Sequence, residues 1–172
     1  DALAVVLAES PGQAAAALEV IELELQELPP LLSPEAALAE GAPKLHADGN
    51  LLDHTAIRVG DVAAGMAAAD LIVEGTYTVP QIEHAYLEPE ATLAAVDESG
   101  FITVWTGTHE PTKIQSQVAA SLALPLERVR IVHAPTGGAF GSKHDVLLQI
   151  FAALGALHTG RPVKMVLSRA ES

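Results

Sequence analysis

The chain has 172 residues, a length that suits one large domain or two small ones. Hydrophobic residues make up 49% of it and charged residues 18%, which is typical of a globular protein with a substantial core. The formal net charge is −13, which argues against nucleic acid or an anionic membrane as a partner, because both bind basic surfaces. Cysteine is absent, so the chain holds no disulfide, thiolate zinc site or iron–sulfur ligand, and we expect a cytoplasmic protein.

The two ends of the chain are unusual. Residues 2–8 form an apolar run at the very start, and the chain stops shortly after another apolar run, residues 163–167. We therefore expect a fragment of a longer polypeptide. Neither a signal peptide nor an apolar run of the roughly 18–20 residues that a membrane span needs is visible in the sequence.

Apolar periodicity and turn residues predict alternating strands and helices in the first part of the chain: a strand over 2–8, a helix over 11–20, a strand over 21–25 and a helix over 34–40. Ser10 and Ser33 each precede a proline and are suited to capping the two helices. Residues 41–50 are rich in Gly, Pro, Asp and Asn, so we place a domain boundary between residues 42 and 43.

The same patterns predict these elements in the second part: a strand over 54–59, a helix over 61–69, a strand over 71–79, a hairpin of strands 91–96 and 101–105, a helix over 111–122, a strand over 129–134, a helix over 146–157 and a strand over 163–167. A hairpin pairs its strands antiparallel, so a purely parallel sheet is excluded. The predicted fold class is α+β, with helices packed on mixed sheets.

Residues 136–143, Thr-Gly-Gly-Ala-Phe-Gly-Ser-Lys, are the most informative stretch. They lie between a predicted strand and a predicted helix, where glycines allow positive φ and let backbone amides approach a ligand. The glycine spacing matches neither a P-loop nor a dinucleotide-binding motif. By composition alone the stretch is either a ligand loop or a tight structural turn.

Two further groups of residues could carry chemistry. The seven histidines show no metal-binding spacing, so a zinc site is disfavoured. Residues 83–90 bring His84 and three glutamates to a predicted strand end. The carboxylates could serve acid–base chemistry, but a structural corner with Glu88 fixed before Pro89 is the simpler interpretation.

Three segments together resemble the molybdenum-binding subunit of the xanthine dehydrogenase and aldehyde oxidase family. Residues 81–89 resemble that family's Q-x-x-H-x-x-x-E-P segment. Residues 105–111, Trp-Thr-Gly-Thr-His-Glu-Pro, resemble the family's strand end that usually reads Ser-Thr-Gln before a helix. Residues 136–143 resemble its G-G-G-F-G-G-K loop. The resemblance implies that residues 1–42 are the C-terminal part of a small α/β hammerhead-type module. Residues 43–172 would begin the molybdopterin-binding domain.

The resemblance also implies roles for matched positions. Those assigned to the cofactor are His109, Gly137, Gly138, Ala139, Phe140 and Gly141. His109 stands where purine-oxidising members have a glutamine that hydrogen-bonds the oxo ligand, and His144 stands where they have a substrate-contacting glutamate. Both departures argue against xanthine itself as substrate. No residue of this chain is assigned a catalytic role or direct ligation of the metal, because the family's catalytic glutamate comes from a later segment.

The chemistry implied is hydroxylation of an electron-poor carbon in an aldehyde or in a purine- or nicotinate-like N-heterocycle. The implied cofactor is molybdenum–molybdopterin, with or without a cytosine dinucleotide, together with iron–sulfur clusters and FAD on other domains or subunits. The implied partners are the rest of the molybdenum subunit, those redox domains and a small-molecule substrate. The chain alone should be inactive. Two alternatives are a metal-free structural homologue and an unrelated α/β phosphate-binding module.

Overall fold

A four-stranded mixed sheet organises the second half of the chain in the computed structural model, which describes residues 3–172. The strands are β1 (Ala91–Val96), β2 (Ile102–Thr106), β3 (Val129–His133) and β4 (Val163–Val166). Their spatial order is β3-β2-β1-β4. β1 pairs antiparallel with both β2 and β4, whereas β2 and β3 are parallel. The predicted hairpin and the mixed α+β class are confirmed.

Two helices pack against this sheet and bury its core. Helix α4 (Pro111–Ser121) supplies the crossover that parallel strands β2 and β3 require. Its predicted apolar stripe is buried through Ile114 and Val118. Helix α5 (Gln149–Thr159) presents small residues that allow close approach to the sheet, and Ala152, Ala153 and Ala156 are all fully buried. Replacing Ile114 by alanine would leave a cavity at this contact and cost about 2–5 kcal/mol.

Helix α5 begins three residues later than the sequence predicts. The side chain of Gln149 explains the delay, because its Oε1 accepts a hydrogen bond from the Leu147 amide at 2.8 Å. Its Nε2 donates to Thr106 Oγ1 at 3.0 Å, which ties the helix start to the end of β2. This long-range contact is invisible in the local pattern.

The described residues divide into two compact units, one formed by residues 3–21 with Pro80–Ser172 and the other by Glu22–Val79. The first unit contains α1 (Pro11–Leu18), and the second contains α2 (Pro34–Leu38) and α3 (Val62–Ala67). Helices α1 and α2 have the predicted serine N-caps, and Asp61 caps α3. For example, Ser33 Oγ accepts from the Ala36 amide at 3.1 Å, and Asp61 Oδ1 accepts from the Ala64 amide at 2.9 Å.

Several predicted strands do not form. Within residues 3–172 the segments 3–8, 21–25, 54–59 and 71–79 are not strands, and residue 2 of the first prediction lies outside the described range. A strand requires a neighbour that satisfies its backbone hydrogen bonds, and these segments have none there. Their apolar side chains are largely exposed, as Leu25 (68%) and Val73 (82%) illustrate. The apolar pattern shows which side chains could be buried, but it does not show whether a neighbouring strand is present.

Candidate functional site

The glycine-rich loop follows β3 directly and has an unusual backbone. Gly138 and Gly141 have φ of +98° and +105°, values that glycine adopts without strain. Phe140 lies between them with φ of +52°, a conformation that is uncommon for a bulky residue. Its side chain is 75% exposed, so core packing does not account for this conformation. Strained, exposed residues of this kind are concentrated at ligand-binding sites.

The loop also presents free hydrogen-bond donors. Within residues 3–172, the amides of Gly138, Ala139, Phe140 and Gly141 donate to no protein acceptor. Consecutive amides in a loop with left-handed residues form a concavity that suits an anion or another strong acceptor. The loop is closed behind them by the Ser142 amide, which donates to the Ala139 carbonyl at 3.0 Å. This stretch can therefore bind a ligand through its backbone.

His109 and His144 lie next to each other at one end of the loop. The His109 amide donates to the Lys143 carbonyl at 3.1 Å, which attaches the end of β2 to the glycine loop. The two imidazole rings contact edge to face, with centroids 5.2 Å apart. His144 Nδ1 lies 3.7 Å from Glu110 Oε1. The fold thus brings His109 and His144 together at the end of the loop that contains Gly137–Gly141.

Glu88 holds the other end of the loop. Its Oε2 accepts from the Gly137 amide at 2.6 Å, and its own amide donates to the Gly137 carbonyl at 3.3 Å. Lys143 Nζ donates to the same Oε2 at 2.7 Å and to the Glu88 carbonyl at 2.9 Å. Burial raises the pKa of the Glu88 carboxyl, but the Lys143 and Gly137 hydrogen bonds and the lysine charge outweigh it, so that pKa lies below its usual value.

A second carboxylate, Glu90, is buried beside this contact. Tyr86 and Ser172 donate hydrogen bonds to its two oxygens, and Ser142 Oγ lies 3.4 Å from Oε1. Burial raises the pKa of Glu90, yet the hydrogen bonds from Tyr86 and Ser172 and the charge of Lys143 bring that pKa below its usual value. Both Glu88 and Glu90 are therefore ionised near neutral pH and act as structural acceptors, which matches the simpler interpretation of residues 83–90.

The space behind the loop is too small for a cofactor. The cavity bounded by Glu88, Thr106, Gly107 and Lys143 has a volume of about 10 Å³, which is at the lower limit for one water molecule. A ligand of the loop would have to contact its outer side, where Phe140, His109 and Gly141 are exposed.

Sequence reasoning missed how the three segments are joined. It assigned no role to Lys143, which is 4% exposed, and none to Tyr86, which is 2% exposed. The sequence does show a lysine at the end of the glycine-rich loop and a glutamate immediately before Pro89. Their pairing across 55 residues has no local signature. Among residues 3–172, no group of three or more His, Cys, Asp or Glu could hold a metal directly, and no helix could span a membrane.

Comparison with known proteins identifies the family. Residues 45–172 match the model of the molybdopterin cofactor-binding domain. The whole chain is 43% identical to a subunit of a probable xanthine dehydrogenase of Bacillus subtilis and covers 23% of that protein. It is 41% identical to the nicotinate dehydrogenase large molybdopterin subunit of Eubacterium barkeri and covers 40% of it.

A solved structure agrees with the sequence match. The aldehyde oxidoreductase of Desulfovibrio gigas superposes with a TM-score of 0.86 at 28% identity, over 94% of this chain and 18% of that one. The chain thus spans less than half the length of these relatives. The resemblance seen in the three motifs is confirmed: this chain belongs to the molybdopterin cofactor-binding domain family.

Proposed function

We propose that this chain is the part of a molybdenum hydroxylase whose glycine-rich loop contacts the molybdenum–pterin cofactor. The observation that carries the proposal is the run of unpaired amides from Gly138 to Gly141, which ends two residues before the Lys143 carbonyl that holds the His109 amide. The donor set fits the group, because oxo and phosphate oxygens are acceptors that a run of amides can bind without any metal-ligating side chain. When bound, the cofactor would supply the oxidation of an electron-poor carbon.

The residues of this chain would bind and orient the cofactor. The amides around Phe140 and Gly141 would donate to acceptor atoms of the cofactor, while Gly137, Gly138 and Ala139 keep the loop thin enough for the pterin to approach. The His109 imidazole can donate a hydrogen bond from either ring nitrogen, depending on its tautomer.

His144 would face the substrate. Its ring contacts that of His109, so a group held by one imidazole lies within reach of the other. The proposed substrates are a purine- or nicotinate-like N-heterocycle or an aldehyde. The relative named nicotinate dehydrogenase supports the heterocycle, and the aldehyde oxidoreductase fold supports the aldehyde. Turnover would require the remainder of the subunit together with iron–sulfur and flavin carriers. We place the protein in the cytoplasm.

We also propose the domain division at residues 42 and 43, with a hammerhead-type module before it. The match to the cofactor-binding family, which begins at residue 45, supports that position.

The experiment compares two glycines with similar positive φ. Gly141 and Gly49 have φ of +105° and +111°, and among residues 3–172 a Cβ at either position meets no atom closer than 3.7 Å. Both φ values lie beyond the left-handed region that alanine tolerates, so alanine is strained at both. G141A is expected to lose bound molybdenum and pterin from the purified protein, whereas G49A retains them. Equal cofactor content in both variants and the wild type would refute the role of the loop.

A further inference from the structure

Lys143 is a buried cation at the junction of all three motif segments. Its side chain is 3% exposed, and a lysine is almost never buried so deeply without a partner. Here the ammonium group donates to two oxygens of Glu88 and lies 4.8 Å from the centre of the Tyr86 ring. These contacts offset the loss of hydration that burial imposes.

The backbone of the same residue holds the other segment. The Lys143 carbonyl accepts from Thr108 Oγ1 and from the His109 amide, each at 3.1 Å. A single residue therefore joins the 83–90 segment through its side chain and the end of β2 through its carbonyl. Glu88 completes the link, because its Oε2 receives both the ammonium group and the Gly137 amide.

The position of Gly137 shows how tightly the link is built. A Cβ on Gly137 would lie 2.6 Å from the Cβ of Glu88, a separation that real Cβ atoms essentially never show. The loop thus reaches Glu88 at backbone contact distance. A movement of the lysine would be transmitted to both ends of the run of free amides.

We infer that Lys143 and Glu88 are positioning residues, a buried ion pair that fixes the glycine-rich loop relative to His109 so that both keep one geometry toward the ligand. The identity of that ligand rests on the proposed function, but the ion pair and its effect on the loop do not. Neither residue need touch cofactor or substrate. They act through the amides of Gly137 to Gly141 and through His109.

The test is residue-resolved hydrogen exchange in the full-length protein carrying K143M, which keeps the length of the side chain and removes its charge. We expect the Gly137 amide, which donates to the Glu88 carboxylate, to exchange about tenfold faster. The His109 amide, which donates to the Lys143 carbonyl, should also exchange faster, while the Val104 amide in β2 keeps its rate. The control is K113M, which removes an exposed ion pair with Asp145 close by and should change none of these rates.

The exchange rates of the three amides distinguish a local effect on the loop from a general loss of stability. Unchanged exchange at Gly137 and His109, or equal acceleration at Val104, would overturn the inference. If K143M yields no folded protein, exchange of the same two amides is measured in E88Q. This variant keeps the shape of the side chain and one acceptor oxygen, so it should accelerate exchange by a smaller factor.

Cofactor content gives a second readout. K143M should retain less molybdenum than the wild type, whereas K113M should retain as much, and an undiminished content in K143M would contradict the role toward the ligand. A wild type without molybdenum would refute the proposed function alone. The exchange rates would still decide whether the ion pair holds the loop.

Discussion

The contact between Gly137 and Glu88 predicts a large effect from the smallest side chain. In G137A the added methyl carbon would lie 2.6 Å from Glu88 Cβ and 3.3 Å from its Oε2. The nearest atom belongs to the base of a side chain that is itself bonded to Lys143, so it cannot swing aside. The φ of Gly137 is not positive, which means that alanine adds no backbone strain of its own.

The magnitude follows from two losses. Forcing a methyl group into a closed contact typically costs about 1–3 kcal/mol, and moving the loop away weakens the hydrogen bond from the Gly137 amide to the Glu88 carboxylate, which is 2.6 Å long. A hydrogen bond to a charged group contributes about 1.5–3 kcal/mol to stability. Partial loss of this bond, added to the steric cost, brings the expected destabilisation to about 2–4 kcal/mol.

The assay is chemical unfolding of the purified protein, followed by a signal from the sheet unit such as the fluorescence of Trp105. The control is G12A in α1, where a Cβ meets nothing within 4 Å and alanine favours the helix. G137A should lower the unfolding midpoint, and G12A should leave it unchanged or raise it slightly. If G137A unfolds at the same denaturant concentration as the wild type, the close approach of the loop to Glu88 is wrong.

Two further predictions concern the site. H144A should lower kcat/KM for the accepted substrate by about tenfold, since a hydrogen-bonding contact would be lost, and an unchanged kcat/KM for every substrate accepted would remove His144 from the substrate site. The pKa values of Glu88 and Glu90 lie below that of an unfolded glutamate, about 4.3, so both stabilise the fold fully above that pH. Stability should fall as the pH drops through their lowered pKa values, and an E90Q variant should show a shallower fall in thermal unfolding as the pH drops below that of an unfolded glutamate. An identical acid profile for E90Q would contradict the assigned ionisation.

The sequence was sufficient where structure is locally encoded. The hairpin around Gly100, the Ile114–Val118 stripe of α4 and the serine caps of α1 and α2 all depend on residues a few positions apart, and all are confirmed. The glycine loop was also located correctly between a strand and the following helix.

The errors concern partners distant in sequence. The strands predicted at residues 21–25 and 71–79 are wrong, because an apolar pattern does not show whether a neighbouring strand is present. Lys143 reads as an ordinary surface lysine until Glu88, 55 residues earlier, is brought against it. The convergence of His109 and His144 was implied by the family resemblance, and local spacing alone could not have predicted it.

The central claim is that this loop belongs to a molybdenum hydroxylase, and metal analysis of the full-length protein, purified with its neighbouring subunits after growth with ample molybdate, tests it most directly. We expect stoichiometric molybdenum with pterin, accompanied by iron. A folded complex without molybdenum would contradict the claim and favour a metal-free homologue, and phosphate or nucleotide bound in its place would favour the phosphate-binding alternative.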